Sequence, residues 1–162
     1  MPELAYLSLG SNLGDRSANL CDAITRLSEA GKVKTVSSFY ETEPVDLLEQ
    51  PWFLNCVVAL ETDSPPPALL KIALTIEATM GRWRKGDKGP RKIDIDILLF
   101  GNRVIDEPGL RIPHPAMHRR RFVLAPLAEI APQALHPVLK RTAQEMLAAL
   151  PPGQSVRRLG PE

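Results

Sequence analysis

Cysteine is scarce: Cys21 and Cys56 are the only two among 162 residues. They lie far apart, among apolar neighbours and outside any C-x-x-C pattern. That argues against a disulfide scaffold or a thiolate metal site, and predicts two buried thiols in a reducing, cytoplasmic setting. No apolar run approaches the ~20 residues that a membrane helix needs. The opening "MPELAYLSLGSN" lacks a basic start, so no signal peptide is expected. Neither sign of charge is in excess: 20 Lys and Arg against 19 Asp and Glu leave a net charge of +1. No bulk field advertises nucleic acid or a membrane. There is no G-x-x-x-x-G-K-[ST] loop, and no Gly-rich loop followed by H-R-D and D-F-G, so P-loop and protein-kinase architectures are excluded. Repeats and low-complexity segments are absent too, and the length suits one domain over residues 1–162.

What is present is an ordinary globular balance, 44% apolar and 24% charged, with 16 prolines that punctuate it at "DSPPPALL", "RIPHPAM" and "LPPGQ". "LAYLSLG" reads as a strand stopping at Gly10. "DRSANLCDAITRLSEAG" reads as a helix, with Leu20, Ala23, Ile24 and Leu27 at helical spacing and Gly31 as its C-terminal cap. "VKTVSSFYET" and "FLNCVVALET" are two further strands. Asp63 or Ser64 is expected to cap a second helix, which buries Leu69, Leu70, Ala73, Ile76 and Met80. "KIDIDILLF" is a fourth strand, and Gly101-Asn102 turns into a short strand at "RVI". Beyond Pro113 the pattern is helical, ending in "KRTAQEMLAALPP". This order predicts an α+β fold, an antiparallel-type sheet with helices packed on it.

The segment "KIDIDILLF" carries the strongest chemical signal. Alternate strand residues share a face. Asp94 and Asp96 therefore project together while Ile93, Ile95 and Ile97 point into the core. Two like charges roughly 7 Å apart repel by about 2 kcal/mol at an effective dielectric near 20. Solvent can offset that, and so can divalent cations, because Mg²⁺ takes one or two carboxylates plus phosphate oxygens. Directly upstream, "GRWRKGDKGPRK" holds Arg82, Arg84, Lys85, Lys88, Arg91 and Lys92 around two internal glycines. A solvated loop is one reading. The other is a basic loop that, with the carboxylates, suits a Mg²⁺-bound polyphosphate. Phe53 and Asn55 share a face of the third strand, where a ring and an amide suit a flat heterocycle or a plain core position. In "PHPAMHRRRF", His114 and His118 do not form H-E-x-x-H, and Pro115 disfavours a helix through His114. A histidine and an arginine aimed at phosphate suit this stretch better than zinc. His136 has no partner in sequence and reads as structural or exposed.

"GSN", "SSFYETEP", "QPWFLN", "GRWR", "GPRKIDIDIL", "IPHP" and "RRFVLAPL" occur in that order. With them the chain resembles the 6-hydroxymethyl-7,8-dihydropterin pyrophosphokinases of folate biosynthesis over roughly residues 4–133. The resemblance implies a ferredoxin-like fold and transfer of the two terminal phosphates of ATP, as one unit, to the pterin hydroxymethyl group, with release of AMP. It implies that Asp94 and Asp96 hold two Mg²⁺ ions, that Arg82 and Arg91 serve catalysis, and that Asp96 is a candidate proton acceptor. Arg84, His114 and Arg120 match phosphate-contacting positions, and Glu77 and Ile97 belong to the ATP site. Phe53 and Phe122 match the aromatics that sandwich the pterin, with Asn55, Thr42, Pro44 and Val45 reading its edges. The basic loop would close over the phosphates; Asp87 and Lys88 stand in it where relatives often place an aromatic before "GPR". The expected partners are ATP and the pterin, without nucleic acid or membrane, and the expected state is a monomer. The competing reading is an RRM-like RNA-binding module, since that fold shares the element order. The strand "KIDIDILLF" speaks against it: it lacks the stacked aromatics of such a strand, and its acidic face would repel phosphate without metal.

Overall fold

The computed structural model describes residues 2–43, 51–81, 92–153 and 155–159. Strand β1 (Glu3–Ser11) buries Ala5, Leu7 and Leu9 completely on one face. Helix α1 (Arg16–Leu27) follows, started by Asp15, whose side chain accepts the Ala18 N–H at 3.1 Å. Two short strands, β2 (Lys32–Val36) and β3 (Tyr40–Thr42), lead to the long β4 (Phe53–Thr62). Helix α2 (Pro66–Thr79) precedes β5 (Asp94–Phe100). A hairpin of β6 (Ile105–Glu107) and β7 (Leu110–Ile112) comes next, then α3 (Arg121–Ile130), α4 (Ala143–Ala148) and β8 (Val156–Arg158).

The main sheet runs β5-β1-β4-β3-β8, with β2 also paired to β4, and every pairing is antiparallel. The first two βαβ-type units thus build a ferredoxin-like α+β layer. Helices α1 and α2 cover one face through Leu20, Ala23, Leu27, Leu69 and Ala73. Helices α3 and α4 cover the other, where Val57, Leu98, Leu99, Leu124 and Met146 meet. Strand β4 is buried on both faces, which accounts for its unbroken apolar run. A register shift between Tyr6 and Leu7 of β1 leaves Leu98 as an extra residue of β5. That bulge lets Ile95 and Ile97 enter the first core while Leu98 and Leu99 both enter the second.

Several expectations are corrected here. β1 does not stop at Gly10 but runs through it to Ser11. The expected strand over 33–42 is two strands, because Ser37 interrupts it. The Ser37 hydroxyl accepts the Val57 N–H at 2.9 Å in place of a backbone carbonyl, and the Ser38 N–H turns to Glu129. Pro65, without a side-chain cap, begins α2 instead of Asp63 or Ser64. Gly31 does not cap α1, which ends at Leu27. A Cβ there would lie 2.3 Å from the Glu61 carbonyl oxygen, so Gly31 serves a close backbone approach. Cys21 is exposed on the polar side of α1, and only Cys56 is the expected buried thiol. The segment "RVI" contributes only Ile105 to β6, whose partner β7 was not expected; nor was β8.

Candidate active site

The sheet face under α3 carries Asp94, Asp96, Phe53 and Asn55 of the predicted site, and its register places them. Asp94 lies opposite Gly10 and Asp96 opposite Ser8, while Gly10 pairs on its other side with Asn55. Asn55 in turn faces Tyr40, and Phe53 faces Thr42. One row across three strands therefore reads Asp94, Gly10, Asn55, with Phe53 and Thr42 next to it. Gly10 is indispensable to that row. A Cβ on it would stand 2.4 Å from Asn55 Oδ1 and 3.5 Å from the Phe53 ring, so only glycine lets the amide lie over β1. Asn55 is 4% exposed, and its amide N–H donates to Thr42 Oγ1 at 2.6 Å. Asn12 reaches from the end of β1 to the Pro51 carbonyl at 3.1 Å, tying the entry of β4 to it.

At the outer edge of β5 a cleft of about 480 Å³ opens between α2, β5 and the β6–β7 hairpin. Glu77, Asp96, Ile97, Arg111 and His114 are among its lining residues. Glu77 is buried on α2 and accepts the Ile95 N–H at 2.7 Å. Ile95 stands between the two aspartates, so this carboxylate takes the place of a strand neighbour on the unpaired edge. His114 Nδ1 accepts the Ala116 N–H at 3.1 Å. A neutral ring consequently carries its proton on Nε2. Burial pushes the His114 pKa down from its ordinary 6.5; Asp96 opposes this and Arg120 adds to it. Arg120 lies over the Phe122 ring, 5.5 Å from its centre. It therefore joins the histidine side of the site to the aromatic that opens α3.

Asp94, Asp96, Glu77, Ile97 and His114 thus gather around the edge of β5. Thr42, Phe53 and Asn55 gather one strand further in. Phe122 packs with the second core, on the same side of the sheet as Phe53 and Asn55. Arg82, Arg84 and Arg91, the basic loop around them, Pro44 and Val45 lie outside the described residues. No cluster of three or more His, Cys, Asp or Glu suited to a metal occurs among the described residues. His136 is buried, and its Nδ1 accepts the Leu139 N–H at 3.0 Å, the structural alternative. Sequence reasoning missed the spatial role of Gly10 and all of Glu129. Glycine in a strand interior was the one available signal for the first.

Fold and cleft define a class first: a ferredoxin-like α+β domain with an acidic, sheet-edge cleft. Solved structures share the architecture. A structure described as HPPK-DHPS in complex with substrates aligns at TM-score 0.73 and 17% identity, over 91% of this chain and 43% of that one. Wild-type Plasmodium falciparum HPPK-DHPS aligns at TM-score 0.72 and 18% identity, over 91% and 44%. The sequence then narrows the class. A family model described as 7,8-dihydro-6-hydroxymethylpterin-pyrophosphokinase matches residues 6–132, and the chain belongs to that family. It is similar to the 2-amino-4-hydroxy-6-hydroxymethyldihydropteridine pyrophosphokinases of Bacillus subtilis and Methylorubrum extorquens. The first is 47% identical, covering 82% of this chain and 81% of the relative. The second is 43% identical, covering 91% and 94%. The folic acid synthesis protein of Dictyostelium discoideum is 40% identical over 98% of this chain, which spans only 24% of that protein's length.

Proposed function

We propose that the chain transfers the pyrophosphoryl group of ATP to the hydroxymethyl oxygen of 6-hydroxymethyl-7,8-dihydropterin and releases AMP, a step of folate biosynthesis. The observation that carries this is the row from Asp94 across Gly10 to Asn55. It sets an acidic phosphate end and an aromatic, amide-bearing end side by side on one sheet face. The pterin lies between Phe53 and Phe122, where stacking gives affinity without direction. Asn55 and Thr42 read its edges, with Pro44 and Val45 from the adjoining segment, and an unpaired buried amide rejects other rings. ATP occupies the cleft lined by Glu77, Ile97 and His114.

Two carboxylates on one face fit Mg²⁺, which keeps water and phosphate oxygens as its other ligands. Asp94 and Asp96 would hold two such ions. Bound there, Mg²⁺ supplies Lewis-acid stabilisation of charge on the phosphates. The chain's own side chains do the positioning. His114, neutral and protonated on Nε2, donates to a phosphate oxygen. Arg120, with Arg84, balances further charge, and Arg82 and Arg91 neutralise the α–β bridging oxygen as it leaves with AMP. The substrate hydroxyl attacks the β-phosphorus along a line set by the stacked ring, and Asp96 is the candidate carboxylate to accept its proton. The enzyme acts as a cytoplasmic monomer in this reading, without nucleic acid or membrane as partner.

The test is incubation with ATP, Mg²⁺ and 6-hydroxymethyl-7,8-dihydropterin. Pterin-dependent AMP, formed one for one with pterin diphosphate, is expected. ADP in place of AMP, or AMP release that ignores the pterin, would overturn the proposal.

A further inference from the structure

One carboxylate remains outside this account, although four donors converge on it. Glu129 lies near the end of α3. Its Oε1 accepts the Tyr40 hydroxyl at 2.8 Å and the Ser38 N–H at 3.0 Å. Its Oε2 accepts the Ser38 hydroxyl at 2.8 Å and the Arg158 guanidinium at 3.2 Å. Arg158 also donates to the Ser38 hydroxyl at 3.0 Å, so β8 joins the same knot. Glu129 therefore ties three separate elements, α3, β3 and β8, at one point.

The geometry gives the knot a direction. Phe122 and Glu129 are seven residues apart on α3. Two turns separate them, roughly 10 Å along the axis, and they look out from the same side of the helix. On the sheet, Tyr40 and Thr42 share a face of β3 and lie opposite Asn55 and Phe53. The knot thus fastens the helix that carries one aromatic wall to the strand beside the other. The helix needs such a fastening. Pro126 sits inside α3 and has no N–H to give, so the carbonyl four residues earlier, that of Phe122, receives no helical hydrogen bond from it. The turn that presents Phe122 thus lacks one helical hydrogen bond, and contacts at the far end of the helix help to fix its height over the sheet.

We propose that Glu129 is a positioning residue for the pterin pocket. Through Tyr40 and Ser38 it sets the gap between the Phe122 and Phe53 rings, and Arg158 of β8 locks the setting. This rests on the reading that those rings hold the pterin. Burial pushes the Glu129 carboxyl up, but the hydrogen bonds from Tyr40 and Ser38 and the charge of Arg158 outweigh it and hold it below the usual carboxylate range. It is an anion at neutral pH, as a four-donor acceptor must be. Glu129→Gln replaces one acceptor oxygen by a donor that faces donors.

The experiment measures pterin and MgATP dissociation constants separately, with thermal stability, for wild type, Glu129→Gln, Tyr40→Phe and the double variant. Glu129→Gln should weaken pterin binding about tenfold while MgATP binding changes less than about twofold, in line with the loss of charged hydrogen bonds at one wall only. Tyr40→Phe should give a smaller loss in the same direction. The double variant should be no worse than Glu129→Gln alone, since both break one device. If Glu129→Gln does not fold, Tyr40→Phe carries the same comparison. Unchanged pterin affinity in the folded variants overturns the proposal. So does an equal loss for both ligands, the mark of a merely structural residue. A wild-type chain that binds MgATP but no pterin overturns instead the functional reading beneath it.

Discussion

The two ends of the candidate site are built on opposite plans. The pterin end spends its polar groups on one another. Asn55 donates to Thr42, Asn12 holds the carbonyl of Pro51, and Glu129 gathers Tyr40, Ser38 and Arg158. The phosphate end leaves side chains in the open cleft: Asp96 is exposed at its rim, and His114 lines it with Nδ1 engaged by its own backbone. On the proposed reading the difference follows from the ligands. A flat, weakly charged ring is recognised by shape, so its walls must be rigid before it arrives. A polyphosphate brings its own charge and counter-ions, so its site needs unspent charge more than it needs rigidity.

The largest expected effect breaks the phosphate end alone. Asp96→Ala or Asp94→Ala should cut turnover by about 1,000-fold or more, as loss of a ligand that stabilises developing phosphate charge does. Pterin affinity should barely move. Stability without ligand should hold or rise slightly, because the strand loses a repulsion of about 2 kcal/mol at most. Two measurements decide this: AMP release at saturating substrates and the unfolding midpoint. Near-normal turnover in both variants would place the metal site elsewhere.

Next comes a residue that belongs to the contact line between the ends. Gly10→Ala puts a methyl 2.4 Å from Asn55 Oδ1, closer than any real contact allows. Either the amide turns away or β1 and β4 part. The cost should be about 1–3 kcal/mol of stability, the range for overpacking. Pterin affinity should fall with it, because Asn55 loses its place. Denaturant unfolding together with pterin titration tests this. Full stability and full affinity would mean that Asn55 has room to move and that the glycine is incidental.

A smaller effect should come from the stacking rings. Phe53→Ala and Phe122→Ala should each weaken pterin binding by about 1–2 kcal/mol through lost stacking and buried area. MgATP binding should change much less. Loss of ATP affinity with pterin affinity retained would exchange the two ends.

How much of this was legible in the sequence differs between the ends for the same reason. The phosphate end is written locally: Asp94 and Asp96 are two apart in one strand, and the period of a strand alone puts them on one face. The element order also gave the α+β layer with its antiparallel-type sheet, since each helix and long strand has its own periodicity, while the ferredoxin-like topology came from the family resemblance. The pterin end is written across distance. Glu129 and Ser38 are 91 residues apart and Glu41 and Arg157 are 116 apart, and no local pattern announces either contact. Gly10 looked like a strand end because glycine is a common stop, yet its true partner is 45 positions on in β4. The break at Ser37 was hidden too, because a serine hydroxyl replacing a backbone acceptor leaves the surrounding β-pattern intact.

The smallest expected effect concerns acid, and it separates the ends by their proton chemistry. The pKa of Glu129 is held below its ordinary 4.5, and that of its neighbour Tyr40 is pushed up to about 12, chiefly by burial and then by the hydrogen bond to Glu129. A carboxyl whose folded value lies below its unfolded value binds fewer protons when folded. Its contribution to stability is therefore complete above the unfolded value of about 4.5 and is lost as pH falls through the lower, folded value. At pH 7, Glu129→Gln should cost about 1–2 kcal/mol, the scale of hydrogen bonds to a charged group. As pH drops below about 4.5, the wild-type curve should descend towards that of the variant, because protonation removes from the wild type what the substitution has already removed. Unfolding midpoints of both proteins between neutral pH and pH 3 measure the convergence. Parallel curves would show that the charge of Glu129 adds nothing to the knot, and that packing of α3 alone holds the pterin end in shape.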